Sequence, residues 1–203
     1  ALAALGTSVM DAPYKAAPKG PVLYVKPRNT LAVSGSAVPV PKVHSHLEVG
    51  ASLGLVIGRT ACGVDERDAA SHIAGYTLVA DLSAPHDSFY RPSIRFKALD
   101  GSCLVGPRLT PSSETSNPDE LSIRVSIDGE HVHTASTSGM ARTVARLIAD
   151  VSDFMTLRPG DILMLGVAHG APCARAAQAF AIECDAIGRL DGRLEIEESE
   201  ARA

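Results

Sequence analysis

Apolar residues cluster in short β-prone stretches along the first half of the chain. Residues 52–57 (SLGLVI) form a near-continuous run closed by Gly58, which predicts a buried strand, and residues 76–82 (YTLVADL) have the same character. Between them, residues 65–74 begin with acidic side chains and predict a helix. A shorter apolar run at residues 31–33 adds to this alternation of brief elements and turns.

The second half of the chain continues the pattern and adds one clear helix. Residues 121–127 alternate apolar and polar side chains and are followed by Asp128-Gly129, which together predict a half-buried strand and a hairpin. Residues 138–154 carry apolar side chains at helical spacing and predict an amphipathic helix. Further strands are predicted at 162–165, 179–184 and 194–196. Many short strands with two or three helices indicate a β-rich α+β domain.

Composition and charge narrow the class of protein. The 203 residues are 45% hydrophobic and 21% charged, with a net charge of -4, so the chain has no basic footprint for nucleic acid. No apolar run reaches the roughly 20 residues that a bilayer span needs, and no signal peptide is recognised, so we expect a cytoplasmic protein that does not enter membranes. The cysteines show no CxxC pairing, which favours free thiols over disulfides or zinc.

Several blocks occur in an order and spacing that resemble the fumarylacetoacetate hydrolase family, over about residues 14–195. The blocks are Lys26-Pro27, residues 53–58 (LGLVIG), residues 73–77 (IAGYT), Asp81-Leu82-Ser83, Lys97 with Asp100, Gly106-Pro107, residues 157–161 (LRPGD), Leu165-Gly166 and residues 187–190 (IGRL). The resemblance implies a mixed β-roll fold with a few short helices. We expect that domain to span residues 21–197, after an N-terminal extension at 1–20 and before an acidic tail at 198–203.

Two further pieces resemble the members of this family that act in homoprotocatechuate (4-hydroxyphenylacetate) breakdown. They are Tyr14-Lys15 followed by residues 26–30 (KPRNT), and residues 88–92 (SFYRP) leading to Lys97 and Asp100. The resemblance implies a half or subunit of a system that decarboxylates 5-oxopent-3-ene-1,2,5-tricarboxylate and isomerises 2-hydroxyhepta-2,4-diene-1,7-dioate. Its substrate would be a small dicarboxylate or tricarboxylate, and its protein partner a second copy or a homologous metal-bearing subunit.

The family pattern also implies a divalent cation, Mg2+ or Mn2+, held by a Glu-x-Glu pair and an aspartate. In this sequence the two glutamate positions hold Gly50 and Ser52, and Asp81 alone remains. Affinity for hard cations depends on the number and charge of the oxygen ligands, so we expect the ion to be absent or weakly held. Restoring both glutamates should rebuild a three-carboxylate site with Asp81, because residues two apart share a strand face. The other interpretations are a site rescued by Glu48, His44 and His46 with Asp81, or an Asp81 kept only for hydrogen bonding.

The resemblance assigns roles to other residues, and each has a plainer alternative. It implies Lys97 and Asp100 as catalytic residues and Tyr90 and Gly166 as substrate-binding residues. Arg91 and Arg95 could bind a second substrate carboxylate, because a guanidinium group matches a carboxylate bidentately. A surface lysine and solvated arginines are the alternatives. The threonine that the family places after Gly166 is Val167 here. His86-Asp87 could form a general base with its carboxylate, and His131 with His133 could bind metal, although loop and hairpin positions are the simpler explanation.

Three functions remain open from the sequence. The first is the isomerase/decarboxylase half described above, with substrate held by Lys97 and the arginines. The second is a catalytically silent partner that stabilises a metal-bearing homologue, which the Gly50 and Ser52 replacements favour. The third is a small-molecule-binding module that uses Lys97 and the arginines without metal.

Overall fold

The β-prone runs fold into two mixed sheets in the computed structural model, which describes residues 20–86 and 94–197. The twelve strands of these residues are β1 (Leu31–Val33), β2 (Ala37–Val40), β3 (His46–Ile57), β4 (Ile73–Ser83), β5 (Cys103–Val105), β6 (Thr110–Pro111), β7 (Ser122–Ile127), β8 (Glu130–Ser136), β9 (Ile162–Met164), β10 (Cys173–Arg175), β11 (Ala179–Cys184) and β12 (Gly188–Ile196). The expected β-rich α+β architecture of the family is confirmed.

The two longest strands, β3 and β4, form the centre of the larger sheet. They pair antiparallel, and the sheet runs in the order β1-β5-β4-β3-β10, with β6 attached to β4 and β9 attached to β3. Nearly every residue of both strands is buried, which explains their continuous rather than alternating apolar pattern. Both strands extend beyond the predicted runs, because β3 begins six residues earlier, at His46, and β4 begins three residues earlier, at Ile73.

The smaller sheet has the order β2-β12-β11-β7-β8. Strands β7 and β8 form the predicted hairpin, and Asp128 and Gly129 adopt positive φ angles of 50° and 84°, as its tight turn requires. Strand β11 has the predicted bounds, whereas β12 begins several residues before the predicted 194–196. Buried residues of both sheets contribute to one hydrophobic core.

Helices are few and short among the described residues. The α-helices are α1 (Ile94–Lys97) and α2 (Val144–Ser152), and Thr143 caps α2 by accepting a hydrogen bond from the Arg146 backbone N–H. The predicted helix at 138–154 is therefore shorter at its N-terminal end. The predicted helix at 65–74 is wrong in type, because Glu66–His72 forms a 3-10 helix that leads directly into β4.

Some sequence predictions fall on residues outside the described ranges. These are Tyr14 and Lys15, Asp87, Tyr90 and Arg91, together with the tail at 198–203 and the extension through residue 19. Within the described residues, no helix is long and apolar enough to cross a membrane.

Candidate functional site around Asp81

The pairing of β3 with β4 brings the residues of the predicted metal site onto one face of the sheet. Gly50 lies directly opposite Asp81, and Glu48 lies opposite Ser83 at the end of the pair. On the other side of β4, Cys103 lies opposite Asp81. Directly opposed residues in a sheet share a face, so this register places Gly50, Asp81 and Cys103 around one point.

Asp81 is a buried carboxylate whose two oxygens are both bonded to side chains of this chain. Its side chain has no exposed surface, and its Oδ1 accepts a hydrogen bond from Lys26 Nζ at 3.0 Å. Its Oδ2 accepts from Lys97 Nζ at 3.3 Å and from the Tyr24 hydroxyl. A buried carboxylate needs charged and hydrogen-bonding partners to offset its lost hydration, and two lysines and a tyrosine supply them.

Lys26 is held by three different oxygen atoms. Besides Asp81, its ammonium group donates to Ser102 Oγ at 3.0 Å and to the Lys97 carbonyl oxygen. An ammonium group has three N–H donors, so these partners account for all of them. The Lys26 side chain is 5% exposed, which makes it a buried cation rather than a surface lysine.

Lys97 links Asp81 to a second carboxylate. Its Nζ also donates to Ser83 Oγ at 3.2 Å, and Ser83 Oγ donates to Glu48 Oε2 at 3.4 Å. The Lys97 ammonium lies 5.2 Å from the centre of the Tyr24 ring, within the range of a cation–π contact. With a side chain 17% exposed, Lys97 is the more accessible of the two lysines.

The phenol of Tyr24 and the thiol of Cys103 lie beside Asp81, and their surroundings keep both groups protonated at neutral pH. Burial, followed by the nearby Asp81 charge and the hydrogen bond to it, raises the pKa of Tyr24 well above its usual value. Burial likewise raises the pKa of the Cys103 thiol to about 11, with Lys26 opposing that shift and Asp81 adding to it. Tyr24 therefore acts as a neutral hydrogen-bond donor, and Cys103 is not a ready nucleophile.

Val167 occupies the space beside Gly50. A Cβ atom built on Gly50 would lie 2.6 Å from a Val167 methyl carbon and 2.7 Å from the Asp81 carbonyl oxygen. Both distances are shorter than atoms tolerate, so this position excludes any larger residue without movement of the backbone. Gly166, the residue before Val167, has a positive φ of 99°, which favours glycine. Ser52 is buried and its hydroxyl donates to the Leu53 carbonyl at 3.2 Å.

Comparison with known proteins identifies the family of this chain. The family model described as "Fumarylacetoacetate (FAA) hydrolase C-terminal" matches residues 1–195. The 4-hydroxyphenylacetate degradation bifunctional isomerase/decarboxylase of Escherichia coli is 42% identical over 156 residues, which cover 77% of this chain. The chain belongs to the fumarylacetoacetate hydrolase family. It spans 35% of the length of that Escherichia coli relative.

Solved structures of the fumarylacetoacetate hydrolase fold agree with the family assignment. The 2-hydroxyhepta-2,4-diene-1,7-dioate isomerase of Mycobacterium marinum is 27% identical, with a TM-score of 0.78 over 90% of this chain and 71% of that one. Fumarylpyruvate hydrolase of Pseudomonas aeruginosa, solved in complex with Mn2+ and pyruvate, has a TM-score of 0.79 over 93% of this chain and 84% of that one. At 23% identity, the second likeness shows the fold alone.

The residues of this chain do not fit the divalent ion of the fumarylacetoacetate hydrolase pattern. Gly50 and Ser52 offer no carboxylate, and both oxygens of Asp81 already accept hydrogen bonds from ammonium groups. Glu48 is separated from Asp81 by Ser83 and Lys97, while His46 bonds Ser45 Oγ through its Nδ1 at 2.8 Å. Across residues 20–86 and 94–197, no three His, Cys, Asp or Glu side chains are grouped to hold a metal, so the rescued site does not form there.

The other predicted site residues lie at varied distances from this cluster. Asp100 is exposed, and its Oδ1 accepts a hydrogen bond from Asn29 Nδ2 at 2.6 Å, outside the lysine network. Arg95 is exposed on α1, two residues before Lys97. His131 is exposed on β8 and its Nε2 pairs with Thr134 Oγ1 at 2.8 Å, whereas His133 is half-buried. The roles of Asp100, Arg95 and Gly166 stay predictions.

Histidines flank the aromatic ring next to Lys97. The His86 ring stacks on Phe96 with centroids 5.4 Å apart, and His44 meets the same ring edge-on at 6.3 Å. His86 Nδ1 is also 3.0 Å from the Ala84 carbonyl oxygen. These contacts give His44 and His86 a packing role beside α1.

Sequence reasoning missed Tyr24 and Ser102 as members of the cluster, and it missed the buried position of Lys26. The sequence analysis included Lys26 in a family block, but it did not predict the bond from Lys26 to Asp81 on β4. Tyr24 precedes Lys26 by two residues, a spacing that puts both side chains on one side of an extended segment. Ser102 adjoins Cys103, which carried no chemical signal in the sequence.

Proposed function

We propose that this chain is one half, or one subunit, of an enzyme system of 4-hydroxyphenylacetate breakdown. The system would decarboxylate 5-oxopent-3-ene-1,2,5-tricarboxylate and isomerise 2-hydroxyhepta-2,4-diene-1,7-dioate, in the cytoplasm. The observation that carries this proposal is the 42% identity to the bifunctional relative, of which the chain spans 35%. The fold shared with an isomerase of the same dienoate supports the substrate class.

A second candidate, a silent partner, is favoured by the state of Asp81. The carboxylate that the family pattern offers to a metal is bonded here to Lys26 and Lys97, and the glutamate positions are empty of carboxylates. Polarisation of a keto acid by a divalent ion is therefore not available to these residues. As a silent partner, the chain would bind a homologue that retains its Glu-x-Glu pair and would stabilise the fold of that homologue.

The experiment is an activity assay of three samples: this chain, a Glu-x-Glu homologue, and their mixture. Loss of the dienol absorbance of 2-hydroxyhepta-2,4-diene-1,7-dioate is followed with and without Mg2+. We expect no turnover by the chain alone and a higher rate in the mixture than in the homologue alone. Full activity of the chain alone without metal would contradict the silent-partner version, and no effect on the homologue would contradict both.

An arginine variant separates the two versions in the mixture. Arg95 is exposed beside Lys97 and is a predicted substrate contact, while Arg158 is exposed in the turn before β9. If this chain binds substrate, Arg95→Ala raises the KM of the mixture and Arg158→Ala leaves it unchanged. If the chain is silent, neither variant changes KM or kcat.

A further inference from the structure

Lys26 has the surroundings of a bound cation. Its ammonium group is enclosed by a carboxylate oxygen of Asp81, a hydroxyl oxygen of Ser102 and the carbonyl oxygen of Lys97, with the first two at 3.0 Å. Carboxylate, hydroxyl and carbonyl oxygens are also the ligands with which proteins hold free hard cations. The difference is that this cation is covalently attached to the chain.

The charges of the cluster balance without any added ion. Lys26 and Lys97 contribute two positive charges on the two oxygens of Asp81. Asp81 contributes one negative charge, and Glu48 contributes a second through the Ser83 hydroxyl. Two ammonium groups thus supply the same charge as one divalent ion. They face two carboxylates here, whereas the family pattern places three carboxylates around the ion.

We infer that Lys26 is a built-in cation, whose tethered ammonium group fills an oxygen-lined cation site on Asp81. The site would accept a free primary ammonium ion once the Lys26 side chain is removed. A divalent ion suits it poorly, because the remaining ligands include one carboxylate only and the Lys97 ammonium stays beside it. The occupancy of this cation site is measured by stability and proton exchange, which do not depend on turnover of any substrate.

The direct test is chemical rescue of Lys26→Ala. Removing one partner of a buried ion pair is strongly destabilising, so the melting temperature should fall by on the order of 10 °C. Ammonium or ethylammonium chloride should recover at least half of that loss as its concentration rises, because a ligand of the native state stabilises it. Tetramethylammonium chloride at equal concentration should recover none, since it has the charge but no N–H donor.

Lys42→Ala is the matched control, because Lys42 is an exposed lysine outside the cluster. It should melt as the unmodified chain does and respond equally to both salts. The inference is overturned if Lys26→Ala is as stable as Lys42→Ala, or if ammonium and tetramethylammonium act alike on Lys26→Ala.

A measurement on the unmodified chain covers the case in which Lys26→Ala does not fold. Nitrogen-detected NMR of 15N-lysine protein reports the exchange of each ammonium group with water. A Lys26 group with three oxygen partners should give a signal that exchanges far more slowly than that of Lys42. An equimolar amount of Mn2+ should leave that signal unbroadened. Exchange as fast as that of Lys42, or strong broadening by Mn2+, would show that Lys26 does not fill the site.

Discussion

At the scale of single residues, Asp81 shows how one charge can be kept in a core. Its side chain has no exposed surface, so the cost of dehydrating the carboxylate has to be offset inside the protein. Lys26, Lys97 and Tyr24 do this from three separate parts of the sequence. The removal of any one member consequently leaves a buried polar group with fewer partners than it has now.

Asp81→Asn should therefore lower the free energy of unfolding by about 3–5 kcal/mol, the range seen when one side of a buried ion pair is removed. The substitution keeps the size of the side chain but leaves two ammonium groups without their carboxylate. Urea denaturation followed by circular dichroism gives the value. Asp65→Asn is the control, since the Asp65 side chain is 70% exposed in its pair with Arg67, and exposed pairs contribute little.

The thiols provide a second prediction at this scale. Cys103 is buried beside Asp81 with its pKa raised to about 11, and Cys184 is buried in the core, whereas Cys62 and Cys173 are exposed. Because the thiolate is the reactive form, iodoacetamide at pH 8 should modify Cys62 first in the native chain and spare Cys103 and Cys184. Cys173 is exposed but should react more slowly than Cys62, because burial and the nearby Glu48 charge raise its pKa. Peptide mass spectrometry assigns the sites, and modification of all four in denaturant is the control. Rapid native modification of Cys103 would contradict the described burial.

Gly50 is the third residue whose environment makes a sharp prediction. Gly50→Ala should destabilise the fold by about 1–3 kcal/mol, because its Cβ would overlap Val167 and the Asp81 carbonyl. The penalty should shrink in a Val167→Ala background and persist in part, since the carbonyl contact stays. Gly20→Ala is the control, as nothing lies within 4 Å of an added Cβ there. Equal penalties in both backgrounds would show that Val167 is not the obstacle.

The same geometry argues against the expectation that two glutamates alone would restore the metal site. Register does place residues 50 and 52 on the face of Asp81, as strand spacing predicts. A glutamate at 50, however, would meet Val167, and any ion would meet the ammonium groups on Asp81. We therefore expect Gly50→Glu with Ser52→Glu alone to bind no metal, and we expect binding to need removal of the Lys26 charge and of the Val167 side chain as well.

At the scale of elements, the long buried strands were predictable from the sequence. The short strands and the irregular segment 21–27 that pack around them were not. Continuous apolar runs indicated β3 and β4, and Asp128-Gly129 indicated the β7–β8 hairpin. The short strands β2, β5, β6 and β10 carry too few residues for a periodic pattern, and pairing with distant strands defines them. Residues 21–27 form no regular element, yet they deliver Tyr24 and Lys26 to the site. Side-chain bonds across the sheet hold them, which no local pattern reveals.

Hydrogen exchange should distinguish the strands, which backbone pairing holds, from residues 21–27, which side-chain bonds hold. In the unmodified chain, the amides of β3 and β4 are expected to exchange slowest, because both strands are buried and paired on both sides. In Asp81→Asn, amides near Tyr24 and Lys26 should exchange faster, while those of β11 stay protected. Mass-spectrometric exchange on peptic fragments gives both. Equal acceleration in both regions would mean that the cluster supports the whole domain rather than the residues 21–27.

At the scale of the whole molecule, the surface predicts association. Large apolar side chains are widely exposed at Val25 (77%), Val33 (72%), Val43 (80%) and Ile196 (73%). Exposed apolar side chains at the edges of the sheets are candidates for contact with another chain. Val33 belongs to β1, an edge strand of the larger sheet, and Ile196 ends β12 beside the edge strand β2. We propose that these edges meet a second copy or a metal-bearing homologue.

Light scattering at about ten micromolar should accordingly give a mass well above the 21.1 kDa of one chain. Val33→Glu places a charge on the exposed edge and should lower that mass, because burying an unpaired charge is unfavourable. Thr134→Glu, on the edge strand β8 of the smaller sheet, is the control and should leave the mass unchanged. A monomeric mass with and without the homologue would contradict the proposal.

The contact between Gly50 and Val167 also restricts the mutational paths open to this sequence. A glutamate cannot replace Gly50 in one step without a steric clash, because its Cβ would meet both the Val167 side chain and the Asp81 carbonyl oxygen. A smaller residue at 167 would remove the first of these contacts and leave the second. Acquiring an acid at position 50 therefore depends on a second substitution and on a shift of the backbone, so positions 50 and 167 are epistatic.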